Sequence, residues 1–532
     1  MKLRYKIAAV ISVAVLGTSG SIAYSALAKP QYILSTHSSV DLKTLALTAD
    51  TISGTQLRGI PDGMGAYNNG KGGISLLTVH EVASYSTLAQ QSKSDSAVWG
   101  TSITKMTISP NTKTVTRAEE FMKQISFYNY TTGLYQALPI GTAPVGTTKG
   151  FDWNISRFCS ATLVQAGKLA YKSGATTFGY DEPIFLSGEE DGDSGYGRGF
   201  AFDMNGNGIQ LPRMGTASWE NLMPNLKPGM NTVVMGSEDG SAADSQLFMY
   251  VGKKTSSGTF ADKAGLTNGE LHVLSIPDIA NDTAFRNTVG KNKAVAVKFN
   301  KTIWNDNMAV QQKDHAAQGT ELSRVEDGEW DPNNPNVFYF VTTESSKYPT
   351  STTPNPATPT TSRDGGALWR LTFVDGQNPD LGAKIEMLLD GSEAPYLSKP
   401  DNIAVTHNGL ILIQEDPGGN DAVARIVAFR PSDSKLAVIA EFNKEYFVKG
   451  AEKFMTNDEE ASGIIEATDL FAKKGDTKSY YLFNTQIHGL ASKVRPDLAH
   501  KSATAKAAID KRTIEGGGWY LMTVSSWDDV FK

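Results

Sequence analysis

Short apolar runs of β character recur along the chain, and no long helical periodicity dominates. The runs are separated by polar stretches that contain glycine, asparagine, aspartate and proline. This texture is typical of strands that are joined by turns. Six of the runs lie at 74–79, 184–186, 232–235, 337–341, 410–413 and 480–483. The pattern predicts an all-β protein with many short strands.

Polar residues that could bind a cation follow each of the six runs. They are Glu81, then Glu189 and Glu190, Glu238 and Asp239, Glu344, Glu415 and Asp416, and finally Gln486 with His488. A second charged or metal-binding residue precedes each run, which gives the pairs Asp62 to Glu81, Cys159 to Glu189, Glu220 to Asp239, Glu326 to Glu344, Asp401 to Glu415 and Glu460 to His488. The repeating unit is therefore a polar residue, a strand, a turn, a strand and a polar residue.

Six copies of this unit predict a single β-propeller with six blades and long loop insertions. A blade cannot bury both faces of its sheet alone, so blades pack around a central channel. The innermost strands run toward the same end of that channel, and acids that are far apart in sequence can meet there. The irregular spacing between copies requires insertions, such as the proline- and threonine-rich stretch 348–362. The alternative is a pair of β-sandwiches whose strand ends are acidic.

Length and charge narrow the class of protein. The chain has 532 residues, with 50 Lys and Arg against 56 Asp and Glu, and a net charge of −6. A single ordinary core stops growing at about 250–300 residues, so two domains or one large closed architecture are expected. No basic surplus exists to neutralise the phosphate backbone of DNA or RNA, which argues against a nucleic-acid partner.

The first residues have the three parts of a secretory signal. Three of the first six residues are basic, an apolar stretch covers 7–16, and a small-x-small cleavage sequence lies at 26–28. We therefore expect a signal peptide over 1–28 and a propeller domain over 29–532, in a protein that is periplasmic or secreted. No apolar run reaches the ~20 residues that span a bilayer, so no stable membrane anchor is expected. The alternative for the first residues is a buried N-terminal helix.

The chain contains a single cysteine, Cys159, and so it forms no internal disulfide. This residue could be a small buried apolar side chain, pair with another chain, or bind a ligand through its sulfur. Converging acids repel one another and are costly to bury unless they are protonated or bind cations. Arg324 alone is too little positive charge to balance them, so bound metal is the simplest interpretation. Oxygen ligands favour Ca²⁺, Mg²⁺, Mn²⁺ or Fe³⁺, and a thiolate among them would indicate a transition metal.

Short motifs that contain these polar residues follow one another in a characteristic order. They are Val-His-Glu at 79–81, Phe-Cys at 158–159 with Leu-Ser-Gly-Glu-Glu at 186–190, Met-Gly at 214–215 with Trp-Glu-Asn at 219–221, Ser-Glu-Asp at 237–239, Arg-Val-Glu at 324–326, Pro-Asp-Asn at 400–402, Glu-Ala-Ser-Gly at 460–463 and Gln-Ile-His at 486–488. Together they resemble the motifs of the PhoX-type alkaline phosphatases, a family of exported propeller phosphatases. The resemblance implies that the substrate is a small-molecule phosphate ester.

The resemblance also implies a site that holds Fe³⁺ and Ca²⁺ together, in which Cys159 is an iron ligand and Arg324 is the catalytic clamp on the substrate phosphate. The metal ligands that we expect are Cys159, Glu189, Glu190, Glu220, Glu326, Asp401, Glu460, Glu81 and Asp239. Two departures indicate a divergent member of the family. The stretch Gly-Gly-x-Thr-Pro-Trp does not follow Cys159, and the signal lacks twin arginines.

Two other functions fit the same residues. Calcium alone could serve a propeller lactonase or esterase, because strand starts like Pro400–Asp401 also occur in that class. Calcium could also stabilise a binding propeller that has no catalytic activity. The main prediction is an exported phosphoric ester hydrolase whose carboxylate and cysteine metal cluster lies in the propeller channel.

Overall fold

The computed structural model describes residues 28–83, 100–139, 155–191, 197–240, 245–343, 365–419 and 422–532. Most of the regular structure in these residues is β-strand, as the sequence predicted, and the helices are short. Within the described part of the chain, no helix has the length and apolar character needed to cross a membrane. The predicted signal peptide before residue 28, Glu344 and the predicted insertion at 348–362 lie outside the described residues.

The strands form antiparallel arrays that follow the order of the chain. The first strands are β1 (Ile33–Ser35), β2 (Val40–Leu47) and a small hairpin of β3 (Thr51–Ile52) and β4 (Thr55–Gln56). The first array contains β5 (Pro61–Asn68), β6 (Ile74–His80), β7 (Ser102–Ser109) and β8 (Thr114–Glu120), each paired with the next.

The second array is larger, because it includes two strands that precede its innermost strand in the chain as well as strands that follow it. Its members and an attached hairpin are β9 (Gln124–Asn129), β10 (Leu134–Pro139), β11 (Phe158–Val164), β12 (Leu169–Ser173), β13 (Thr176–Tyr180), β14 (Ile184–Glu189), β15 (Gly199–Asp203) and β16 (Asn207–Gln210). The order across the sheet is β11, β14, β15, β16, β9 and β10. We count the strands of this array in that order, so β11 is its first strand and β14 its second. Strands β12 and β13 pair only with each other. The pair β16 and β9 is parallel.

The third and fourth arrays are joined at their outer edges. Their strands are β17 (Trp219–Pro224), β18 (Asn231–Glu238), β19 (Leu247–Lys253), β20 (Glu270–Ser275), β21 (Val295–Lys301), β22 (Val325–Trp330), β23 (Val337–Thr342), β24 (Ala367–Phe373) and β25 (Ala383–Leu389). Because β21 pairs with both β20 and β25, the two arrays form one continuous nine-stranded sheet.

The last two arrays are completed by strands from the beginning of the chain. Their own strands are β26 (Pro400–Val405), β27 (Ile411–Glu415), β28 (Arg425–Arg430), β29 (Lys435–Phe442), β30 (Glu459–Glu466), β31 (Ser479–Ile487) and β32 (Gly516–Val524). Strand β1 pairs with β29, and β2 pairs with β32. Both pairings are antiparallel, so each of these arrays ends in a strand from the N-terminal segment.

The α-helices among the described residues lie in the connections between strands, apart from the last one, which follows β32. They are α1 (Phe260–Lys263), α2 (Asp282–Thr288), α3 (Met308–Gln318), α4 (Lys444–Phe447), α5 (Thr468–Phe471), α6 (Ala491–Val494), α7 (Ala503–Thr513) and α8 (Trp527–Val530). Most begin at a side chain that caps the first turn. Asn281 before α2 and Ser502 before α7, for example, each accept a backbone N–H from inside the helix.

The second strand of each array carries one of the six apolar runs predicted from the sequence. Every residue of β6, β14, β23 and β27 is buried, because neighbouring arrays cover both faces of these strands. The fully buried Trp219, Trp369 and Trp519 fill the spaces between arrays. The apolar interior therefore lies around the second and third strands.

The first strands of the six arrays contact one another in a closed cycle. Strand β5 contacts β11, which contacts β17, and the series continues through β22, β26 and β30 back to β5. Each of these strands has a register shift against its second strand within the first few residues or near its middle. Such bulges aim side chains locally. The starts of six strands are thus brought to one place, an arrangement that two separate β-sandwiches do not have.

Candidate metal centre

The second residue of every first strand is a potential metal ligand. These six residues, which we call the inner ring, are Asp62, Cys159, Glu220, Glu326, Asp401 and Glu460. All six side chains are buried. Because the strands occupy equivalent places in the cycle, one ligand from each array points to the common centre. The inner ring contains five of the ligands predicted from the sequence, together with Asp62.

A second set of polar residues directly follows the second strand of each array. This outer ring contains Glu81, Glu190, Asp239, Thr343, Asp416 and His488. Each member donates its backbone N–H to the carbonyl of the residue that precedes the first strand of the same array, at 2.9–3.0 Å. The six accepting residues are Ile60, Arg157, Ser218, Arg324, Lys399 and Asp458. The repeated hydrogen bond fixes the outer ring beside the inner ring.

The two rings bring nine ligand-bearing side chains together. Four overlapping groups have ligand atoms within 4.8 Å of one another: Asp62, Glu81 and Cys159; Cys159, Glu190 and Glu220; Glu220, Glu326 and Asp401; and Asp401, Asp416 and Glu460. Since neighbouring groups share a member, they form one continuous set of eight carboxylates and one thiol, which we call the acidic cluster.

Burial makes the charged forms of the acidic cluster unfavourable in the absence of cations. Burial, reinforced by Glu81, raises the pKa of Asp62 to about 7. The pKa values of Glu220 and Asp401 are also well above their ordinary range. Burial is the main cause, and the charges of neighbouring acids are the second. The Cys159 thiol donates a hydrogen bond to Asp62 Oδ2 at 3.0 Å, and burial followed by the charge of Asp62 raises the pKa of that thiol. The protein alone therefore favours protons at these groups.

The unsatisfied oxygen atoms of the cluster fit bound cations. Among the described residues, neither carboxylate oxygen of Glu220 has a hydrogen-bond donor, and the same holds for Asp62 Oδ1. Buried polar atoms without partners are uncommon in folded proteins, and a bound ion satisfies such atoms. The ligand atoms also suit multivalent cations, since the cluster consists of hard carboxylate oxygens and one sulfur.

Gln486 links acids that come from different arrays, and His488 holds one of them. The Gln486 side-chain amide donates to Glu81 Oε2 at 2.8 Å and to Glu460 Oε1 at 3.1 Å. His488 Nδ1 lies 2.7 Å from Glu515 Oε2, and its Nε2 lies 3.6 Å from Glu460 Oε2. These contacts fix the rotamers of Glu81 and Glu460, which belong to the first and the last of the four groups.

Two arginines lie against the cluster. Arg324 Nε donates to Asp239 Oδ1 at 2.8 Å, and its Nη2 is 3.4 Å from Glu326 Oε1. Asp239 belongs to none of the four groups, and its carboxylate orients Arg324. Arg157 Nε donates to Glu81 Oε1 at 2.8 Å, and its Nη1 is 3.4 Å from Glu190 Oε2.

Glu189 lies outside the cluster, contrary to the expectation that it is a ligand. Its Oε2 accepts from Arg198 Nε at 2.7 Å, and its Oε1 accepts from Arg198 Nη2 at 2.8 Å and from the Ser156 N–H at 2.9 Å. The reason is the alternation of a strand, because consecutive side chains point to opposite faces and Glu190 takes the face toward the cluster. Glu415 is held in the same way by Arg425 and by the Ser398 N–H.

Replacing Glu189 with glutamine is expected to destabilise the fold without removing metal. The substitution leaves the guanidinium of Arg198, only 11% of whose side chain is exposed, without its charged partner. Breaking one side of such a buried pair costs about 3 kcal/mol. Urea denaturation of the variant should show this loss, while elemental analysis should find the wild-type metal content. A reduced metal content with unchanged stability would return Glu189 to the ligand set.

The predicted ligand set left out Asp416, which the sequence offered only as a polar residue after the fifth run, and Asp62, which appeared only as a pair member. Arg157 was not selected at all. A signal for Arg157 exists in the sequence. The pattern serine, basic residue, apolar residue, ligand occurs at 156–159, 323–326 and 398–401. In all three copies the fourth residue belongs to the inner ring. This short repeat would have identified Arg157 and Lys399 as candidate site residues equivalent to Arg324.

Comparison with solved structures shows the fold. The structure of Pseudomonas fluorescens PhoX in complex with vanadate, a transition-state analogue, matches with a TM-score of 0.60 and 12% sequence identity, over 94% of this chain and 97% of that chain. A luciferin-regenerating enzyme matches with a TM-score of 0.32 and 9% identity, over 87% of this chain and 91% of that chain. A putative 6-phosphogluconolactonase from Bacteroides uniformis matches with a TM-score of 0.26 and 11% identity, over 69% and 82%. Only the first match is close enough to bear on the fold.

Comparison of sequences shows the family. The family model described as alkaline phosphatase PhoX matches residues 200–464, about half of the chain. No curated protein matches the chain in sequence. The matched segment contains the inner-ring residues of four consecutive arrays, from Glu220 to Glu460. The resemblance predicted from the motifs is thereby confirmed, and the chain is a divergent member of the PhoX alkaline phosphatase family.

Proposed function

We propose that the protein is an exported, metal-dependent phosphatase that hydrolyses small-molecule phosphate esters at the acidic cluster. The observation that carries the proposal is the convergence of six buried ligands, one from each array, next to an arginine that an aspartate orients. Membership of the PhoX family supports the same reaction class. The basic, apolar and small-residue segments before residue 29 support export.

The proposed architecture is a six-bladed propeller over residues 29–532. The closed cycle of first strands supports it, because six arrays then surround one channel. The pairing of β1 and β2 with the last two arrays also supports it, since propellers are commonly closed by strands from both ends of the chain. The joined outer edges of the third and fourth arrays would be a local variation of this plan.

The charge of the cluster supports more than one bound cation. Eight carboxylates and a thiol face the guanidinium groups of Arg157 and Arg324, an imbalance that one divalent ion would not neutralise. We place iron at Cys159 with Glu190 and Glu220, because iron accepts sulfur and oxygen ligands. We place calcium at the all-oxygen group of Asp401, Asp416 and Glu460. Bound there, such cations supply Lewis acidity and neutralise phosphate oxygens.

The residues of the chain would bind and orient the substrate. Arg324 stays charged, because the nearby carboxylates of Asp239 and Glu326 raise its pKa against the effect of burial. Asp239 contacts two nitrogens of the guanidinium and so fixes its plane. A planar guanidinium held in this way has a fixed orientation, which suits recognition of the oxygens of a phosphoryl group.

Elemental analysis combined with a phosphate-release assay tests the proposal. The mature protein should contain iron and calcium, absorb visible light through iron–thiolate charge transfer, and release p-nitrophenol from p-nitrophenyl phosphate. A lactone panel run beside it should show no hydrolysis. A protein that contains calcium alone, is colourless and opens lactones would be a lactonase, and one that is inert toward both substrate classes would be a binding protein.

Replacing Arg324 with alanine should lower phosphatase turnover by ~10²-fold or more, because one charge-assisted contact to the phosphoryl group is lost. Urea denaturation should show that the variant remains folded. The matched control is Arg117→Ala, since Arg117 lies on the outermost strand of the first array with 64% of its side chain exposed. Normal turnover in the Arg324 variant would remove this residue from the proposed role.

A further inference from the structure

Three cations occupy the same structural position in three different arrays. Arg157, Arg324 and Lys399 each directly precede a first strand, and each follows a serine in the repeat described above. The equivalent residues of the other three arrays are Ile60, Ser218 and Asp458. The repeat therefore selects a basic residue at three of six equivalent places, next to an inner-ring ligand each time.

The backbone has the same uncommon conformation at all three positions. Arg157, Arg324 and Lys399 have positive φ angles of 46°, 60° and 48°. Residues with side chains rarely adopt this left-handed conformation, and it is retained where the surrounding structure demands it. Ile60 shares it with a φ of 39°, so the conformation does not depend on a basic side chain. The basic side chains are what this sequence adds to it.

Contacts place the three cations beside the acidic cluster. Arg157 lies against Glu81 and Glu190, with 38% of its side chain exposed. Arg324 Nη2 lies 3.4 Å from Glu326 Oε1. The carbonyl of Lys399 accepts the backbone N–H of Asp416 at 2.9 Å, so Lys399 is adjacent to that member of the cluster.

We propose that Arg157, Arg324 and Lys399 form a cation rim that binds two anionic groups of one substrate, the phosphoryl group and a second phosphate or carboxylate. The proposal rests on the proposed phosphatase function and names its substrate class, a phosphate ester with a second negative group close to the first. A single phosphoryl group above bound cations needs one guanidinium to orient it. Two further cations beside the same cluster match a second anion.

The competing role for Arg157 is to position Glu81 and Glu190 by neutralising them. In that case loss of its charge would disturb metal binding, and affinity for every anion would fall equally. Lys399 provides an independent comparison, because it lies beside a different acid, Asp416, whose backbone N–H its carbonyl accepts. The two roles therefore differ in metal content and in the selectivity between anions.

Binding of two unhydrolysable ligands to the metal-loaded protein tests the cation rim. Phosphonoacetate carries a phosphonate and a carboxylate, whereas methylphosphonate carries the phosphonate alone. Calorimetry should show phosphonoacetate binding at least about tenfold more tightly, the value of one charge-assisted contact. Arg157→Gln and Lys399→Gln should each reduce this ratio toward one and keep the metal content. Arg157→Lys, which keeps the charge, should keep part of the ratio, and Arg117→Gln should keep all of it.

Several outcomes would overturn the cation rim. Equal affinities for the two ligands in the wild-type protein would exclude a second anion site. Loss of metal from the Arg157→Gln protein, with an unchanged ratio in Lys399→Gln, would make Arg157 a positioning residue and exclude the rim. If the protein binds phosphonoacetate more tightly but releases phosphate from no ester, the cation rim is supported and the proposed phosphatase function is refuted. The two proposals therefore fail separately.

Discussion

Glu220→Gln is expected to remove most of the bound metal and to lower phosphatase turnover by about 10²–10³-fold. Glu220 belongs to two of the four ligand groups and links the part of the cluster that contains Cys159 to the part that contains Asp401. Both of its oxygens lack hydrogen-bond donors among the described residues, so cations would be their main partners. Elemental analysis and p-nitrophenyl phosphate turnover, measured on the same preparation, check this result.

The Glu220 variant should remain folded, because burial and neighbouring acids already favour a neutral side chain at this position without metal. An amide of the same size then replaces a carboxyl group whose neutral form is the one that burial favours. Glu189→Gln is the matched control, since it makes the same chemical change at a buried glutamate held by Arg198. The two variants should show opposite results, loss of metal in one and loss of stability in the other. Full metal content in Glu220→Gln would refute its assignment as a ligand.

Removing the metals should make stability depend strongly on pH. The pKa of Asp62 is about 7 in the metal-free fold, against an ordinary value of 3.8, so the folded state holds more protons than the unfolded chain between these values. Stability therefore falls as pH rises through this window. Asp62 alone contributes on the order of 4 kcal/mol to this loss. The metal-depleted protein should unfold at lower urea concentration at pH 8 than at pH 5.

Adding the metals back should reverse this dependence, because cations favour the charged carboxylates that burial disfavours. Urea midpoints at both pH values, with a chelator and with iron and calcium restored, provide the measurement. The Glu220→Gln protein is a useful comparison, as it should resemble the metal-depleted protein even when metals are supplied. Equal stability of the metal-depleted protein at pH 5 and pH 8 would mean that the acids of the cluster are solvated rather than buried together.

The inner ring was largely predictable from the sequence, and the outer ring was predictable only to within one residue. The first member of every predicted pair, from Asp62 to Glu460, lies in the inner ring. The second members Glu189 and Glu415 are each one residue too early, and Glu190 and Asp416 take the positions in the outer ring. Sequence reveals that an acid follows a strand. The exact register decides which of two neighbouring acids faces the centre, and a shift of one residue exchanges the faces.

The apolar runs predicted the second strands well, because these strands are buried on both faces and read as continuous apolar segments. The pairing of β1 with β29 and of β2 with β32 was not predictable, since strand pairing between distant segments leaves no local pattern. Arg157 was missed for a different reason. A single basic residue near a cysteine is unremarkable, and only comparison of three distant copies of the short repeat reveals its position.

The pairings of Ile33 with Phe442 and of Val40 with Val524 have a consequence for the order of events during biosynthesis. Strands β1 and β2 have no pairing partner until β29 and β32 have been synthesised, so their edges stay unpaired until then. Joining such distant segments is slow, and waiting edges invite association with other chains. A polypeptide cut short before β32 would contain every inner-ring residue, but β2 would lack its partner and the sixth array would be incomplete. Cations would therefore be bound late in maturation, after β32 has paired with β2 and the cycle of arrays is closed.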